Sequence, residues 1–247
     1  MKLALIALVS CLALSVKSAT FVKSIGLPDG ASSPDALLPY SQYASMPALD
    51  VQSFDLICRT PDMSAAVKKP LSVAAGGKVR LTWDAEAKSP YSGDDPVGPC
   101  TFWLAPVSSK GKGKVWSKIG QYKYLGDDSA ANWCSAFIQT SGNHYDLDIP
   151  KDIAPGKYYL RSELIDLEGA RVTSNYKDYT AGPRFHSNCA VLDITGTGTA
   201  ALKSPISIME AYKPYYKAVF FSKDTKNSQF VMPGGELPYA IVAPVAP

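Results

Sequence analysis

The stretch IPKDIAPGKYYLRSEL, residues 149–164, decides the reading of the fold. Ala154, Pro155 and Gly156 break the chain, and the run that follows is rich in Tyr and Leu and alternates for part of its length. Such alternation suits a strand with one buried and one solvated face. Working outward, similar segments recur on both sides: DLICR (55–59), KVRLTWD (78–84), CTFWLAPV (100–107), KVWSKIGQYKYL (114–125), HYDLDIP (144–150) and NCAVLDIT (188–195). Breakers such as AAGG, SGDD and TGTG separate them. Short strands without a long helical period predict an all-β chain, an immunoglobulin/fibronectin-like antiparallel β-sandwich. Residues 28–51, and everything after about Thr199, read as long loops, the usual seat of binding on a rigid scaffold.

The N-terminal MKLALIALVSCLALSVKS places a lysine before an apolar run too short to span a bilayer, then small residues. It reads as a secretory signal peptide over residues 1–18, leaving Ala19 as the mature N-terminus and residues 19–247 as a single domain. The expected product is secreted and extracellular. Removing the leader takes away Lys2 and Lys17 and no acid, so the small net charge of +3 falls further. A near-neutral protein gives no reason to invoke nucleic acid or an anionic membrane as partner. Of five cysteines, Cys11 lies in the leader, and Cys58, Cys100, Cys134 and Cys189 remain. In an oxidising compartment they predict two disulfides, with three connectivities open. Zinc is the rival reading, but no two cysteines are close in sequence and no histidine completes a cluster.

Taken in order, the motifs resemble the fungal lytic polysaccharide monooxygenases of auxiliary activity family 9. LDVQSFDLICR (49–59) resembles the segment carrying the first structural cysteine, and VAAGGKVRLTWD (73–84) is similar to the hairpin that follows it. VGPCTFWLAPV (97–107) resembles the His-x-Gly-Pro strand. KVWSKIGQYKY, NWCSAFI and LDIPKDIAPGKYYLRSEL follow in the family's order, and GPRFHSNCAVLDITGTGTA (182–200) resembles the segment ending at the second structural cysteine. The resemblance puts Cys58 and Cys189 at the family's shared bridge, which leaves Cys100 and Cys134 for a second bond. In the chain-entropy model the larger loop contributes roughly 4–5 kcal/mol.

The resemblance also implies copper, held by a mature N-terminal histidine and a second histidine, with a tyrosine near the axial position. Mapped residue by residue, those positions fall on Ala19, Pro96 and His186; an outer-shell glutamine falls on Arg184, and an outer-shell histidine near Glu168. The chain has two histidines, His144 and His186, and neither can be a mature N-terminus. No cofactor is therefore expected. A weak site for a divalent ion from His186, Glu168, Asp94 and Asp95 is the competing reading. No G-x-S-x-G elbow is present. Asp55, Glu163 and Asp166 offer carboxylates without a spacing that makes a glycosidase pair, and Glu163 reads as a structural residue on its strand.

Aromatic residues of the loops supply the binding candidates: Tyr212, Tyr215 and Tyr216 in EAYKPYYKAVFF, and Tyr40 and Tyr43 in the early loop. Their rings suit stacking on sugars. The expectation is a non-catalytic monomer that binds cellulose or another cell-wall polysaccharide. The alternatives are an oxidative polysaccharide-cleaving enzyme with an unconventional metal site near His186, or a secreted cell-surface interaction protein.

Overall fold

A computed structural model describes residues 21–39, 47–84, 97–124, 133–167, 183–212, 226–235 and 237. Among these residues eight strands form two sheets. β1 (Val22–Gly26), β3 (Lys78–Trp83) and β6 (His144–Asp148) make an antiparallel sheet in the order β1-β3-β6. β2 (Leu71–Ala74), β4 (Cys100–Pro106), β5 (Ser117–Tyr122), β7 (Gly156–Asp166) and β8 (Arg184–Thr195) make a second, in the order β2-β8-β7-β4-β5. The short helices are α1 (Asp55–Cys58), α2 (Cys134–Thr140) and α3 (Ile208–Ala211).

The run that opened the sequence reading is β7, the centre of the larger sheet, paired with β4 on one side and β8 on the other. Its alternation separates two apolar cores rather than a core from solvent. Tyr158, Leu160 and Leu164 face the smaller sheet with Phe102, Leu104, Leu81, Trp83, Tyr145 and Leu147. Tyr159 and Ile165 face the other way, with Trp103, Phe185 and Val191, under α1, α3 and the loops.

Three local expectations change. The larger sheet is not wholly antiparallel: β2 runs parallel to β8, pairing Leu71 with Leu192 and Ala74 with Thr195. The AAGG turn does not close a hairpin. It passes the chain from β2 in one sheet to β3 in the other, with Gly76 at φ +79. Gly77 has no room for a side chain there, because a Cβ would meet the Ala74 carbonyl at 2.9 Å. Lastly, DLICR is a turn of helix, not a strand. Ser53 Oγ accepts from the Asp55 N–H at 3.2 Å, and Arg59 closes the turn in the left-handed region at φ 51.

The disulfides join Cys58 to Cys189 and Cys100 to Cys134, with Cα separations of 5.2 and 5.8 Å. The first ties α1 to β8, and the second ties β4 to the start of α2. No described helix is long and apolar enough to cross a membrane.

Candidate functional site

β8 starts at Arg184, and its even-numbered residues point between the two sheets, where Ala190, Leu192 and Ile194 are core. Arg184, His186 and Asn188 continue that face towards the end of the sandwich, and this continuation defines the site. Asn188 Oδ1 accepts the backbone N–H of Val22 at 2.7 Å, bringing the start of β1 to this end. Val97 lies there too, since its carbonyl accepts from the Leu167 N–H at 2.9 Å just beyond β7. Gly98 is wedged so closely under β7 that a Cβ would stand 1.8 Å from the Ile165 carbonyl oxygen. Chain neighbours of Ala19 and Pro96 thus sit at the end that carries His186. Ala19 and Pro96 themselves lie outside the described residues, as do Glu168, Asp94 and Asp95.

His186 is partly buried opposite Leu164. Burial lowers its pKa to about 4; Asp166 opposes that fall, while Arg184 and Arg59 deepen it. The imidazole is therefore neutral at ordinary pH. Arg184 lies across from Asp166 in the β7–β8 register, Nη1 to Oδ2 3.4 Å. Arg59 reaches in from the end of α1, is 4% exposed, and is paired with Asp55. Among the described residues the nearby carboxylates, Asp55 and Asp166, face guanidiniums, and two guanidiniums act on the His186 imidazole. Among the described residues no three His, Cys, Asp or Glu side chains converge on a metal position. Among the described residues the groups around His186 do not make a donor set for copper: a cation placed there would meet two positive charges.

Glu163 has a different role. It is fully buried on the outer face of β7, where it accepts from Arg161 Nη2 at 2.5 Å and from Thr101 Oγ1 at 3.1 Å. Arg161 also donates to the carbonyls of Ile57 (2.6 Å) and Leu56 (2.9 Å), satisfying the end of α1. Ser187 Oγ donates to the same Leu56 carbonyl at 2.8 Å. A carboxylate held this way is part of the framework and cannot meet a substrate.

Tyr212 completes the network and corrects an expectation. It is 0% exposed, packs edge-on to Phe185, and donates its hydroxyl to Glu163. Burial, then the Glu163 charge, push its phenol well above the ordinary value, so it stays a donor. Its ring is core, not sugar platform: Ile208, Ala211 and Tyr212 share the inward side of α3. Tyr40, Tyr43, Tyr215 and Tyr216 lie outside the described residues. His144 is the first residue of β6, opposite Thr82 in the smaller sheet, whereas His186 is on β8 in the larger one.

One exposed aromatic escaped the sequence reading. Phe54, immediately before α1, is 79% exposed. Its neighbours Leu56 and Ile57 are buried, so the apolar run itself disguised which ring faces out.

A two-sheet β-sandwich of this kind is the fold of solved polysaccharide monooxygenases. The chain belongs to Auxiliary Activity family 9 (formerly GH61), whose family model matches residues 20–230. It is similar to AA9 family lytic polysaccharide monooxygenase A of Aspergillus fumigatus, 30% identical over 194 residues, covering 76% of this chain and 51% of that one. The chain spans about half the length of the first curated relatives it matches. Among solved structures it is similar to CvAA9A, with a TM-score of 0.75 at 24% identity, covering 88% of this chain and 97% of that one. It is also similar to a cellulose-active polysaccharide monooxygenase from M. thermophila, with a TM-score of 0.67 at 22% identity, covering 88% and 98%. Members of the family are copper-dependent.

Proposed function

We propose that this chain is a secreted family member that binds cell-wall polysaccharide, cellulose foremost, without cleaving it oxidatively. The observation that carries the reading is the histidine inventory. The sequence holds two histidines, and a brace needs one at the mature N-terminus and another before x-Gly-Pro. With cleavage after Ser18, those positions are Ala19 and Pro96. An alanine leaves an amine without an imidazole, and a proline has no donor to give. The arginines beside His186 support the same reading, because a metal ion bound there would be repelled by their positive charges. The scaffold that remains is suited to holding loops against a glycan. The protein acts as a monomer, with no nucleic acid or membrane partner.

Retention on cellulose, xylan, chitin and β-glucan tests binding, and no retention on any of them refutes it. Copper titration of the protein with its native N-terminus, followed by calorimetry and spin resonance, tests the absence of chemistry. Sub-micromolar binding with the spectrum of a nitrogen-ligated cupric ion would restore the oxidase reading. N-terminal sequencing of the secreted protein tests Ala19 directly.

A further inference from the structure

Phe54 stands out by its exposure. Among the described residues, the large apolar side chains left exposed are Phe54, at 79%, and Leu27, at 40%. A single exposed ring is ordinary on a protein surface. This one is distinguished by what it stands on. Its carbonyl accepts from the Ile57 N–H at 3.1 Å, which fixes it as the lead-in to α1. That helix is in turn held by the Cys58–Cys189 bridge and by Arg161 and Ser187 at its carbonyls. The approach from the other side is also fixed, with the Ser53 N–H on the Asp50 carbonyl at 3.1 Å and the Gln52 N–H on Asp50 Oδ1 at 2.8 Å. A ring displayed on a backbone pinned at both ends loses little freedom when it binds, which is the condition for a stacking residue to yield affinity.

We infer that Phe54 is a sugar-stacking residue, the aromatic platform for one neutral pyranose ring of a β-linked glucan chain. The inference rests on the polysaccharide-binding reading above and names the residue that reading lacked. Three features favour a sugar over a protein partner. Among the described residues Phe54 has no exposed large apolar neighbour in the chain, flanked as it is by Ser53 and Asp55, whereas a protein interface needs a broader buried centre. Its flanks, Gln52, Ser53 and Asp55, carry short polar groups able to hydrogen-bond the hydroxyls around a ring stacked on the aromatic face. The local charge, with Asp50 and Asp55 on either side and Arg59 already paired to Asp55, disfavours an anionic glycan. The platform also borders the His186 end, since Ala48, six residues upstream, bridges to Phe185.

The test is depletion binding of the full mature protein to insoluble cellulose, and to xylan, chitin and β-1,3-glucan in parallel, for wild type, Phe54→Ala and Phe54→Trp. The expected result is about tenfold weaker retention for Phe54→Ala, retained or tighter binding for Phe54→Trp, and identical melting curves for all three. If wild type binds and Phe54→Ala binds equally well, the stacking role is refuted and the polysaccharide reading stands. If wild type binds none of the four, the polysaccharide reading falls and the platform with it.

Discussion

Replacing His186 with glutamine removes an imidazole at the β8 end whose protonation is opposed by burial and by two arginines. Its pKa drops from the ordinary 6.5 to about 4, chiefly because the ring is withdrawn from water; Asp166 works against the drop, and Arg184 and Arg59 with it. The unfolded chain accepts this proton near pH 6.5, whereas the folded chain resists it until about pH 4. Between those values the unfolded state binds more protons, so stability is full above 6.5, declines on acidification, and levels off below 4. At about 1.4 kcal/mol per tenfold change in proton affinity, the whole decline is at most about 3.5 kcal/mol, reduced by the partial exposure of the ring. Asp146, held below the ordinary carboxylate range first by its bond to Arg80, titrates beneath this window and does not blur it. Urea unfolding at half-unit steps from pH 4 to 7 provides the assay. The wild-type free energy should fall across the window, and His186→Gln should flatten most of that fall while leaving stability at pH 7 nearly unchanged. An unchanged slope in the variant would refute the reasoning, because the lost stability would then belong to other groups.

Three further outcomes follow from the framework. Arg161→Met leaves the buried Glu163 carboxylate without its counter-charge and the Ile57 carbonyl without its guanidinium donor, and should cost about 3–5 kcal/mol, read as a lowered midpoint in urea. Gly98→Ala pushes a methyl group into the Ile165 carbonyl, where both partners are backbone, and should cost about 3 kcal/mol in thermal unfolding. Replacing Cys58 and Cys189 together with serine opens a bridge of sequence separation 131, for which chain entropy gives a loss of about 5 kcal/mol; equal stability of the reduced and oxidised protein would contradict it.

The central strands were legible because their signal is local. β4, β7 and β8 are apolar or alternating runs bounded by Pro and Gly, and their pairing needs no unusual residue. DLICR misled because a run of three apolar residues fits a strand or a helical turn equally, and only the turn's partners decide between them. β1 went unread because its five residues mix Lys and Ser with Val and Ile, a pattern that becomes a strand only once β3 lies beside it. Tyr212 was legible in principle, since Ile208, Ala211 and Tyr212 are spaced for one helix face. Its anchor, Glu163, is 49 positions away, however, so burial and surface display looked alike. The charge around His186 could not be read either. Arg59 arrives there through the fold of α1, although the motif containing Arg184 was plain.

The two-sided burial of the larger sheet has a bearing on how such a scaffold diverges. The inter-sheet core of Phe102, Leu160 and Leu192 specifies the sandwich, while the loops rest on a second core, around Trp103, Tyr159 and Phe185. Substitutions drifting through the loop side are thus insulated from the residues that register the sheets. A lineage can change the residues at one end of β8 and in the loops beyond it and still inherit an intact fold.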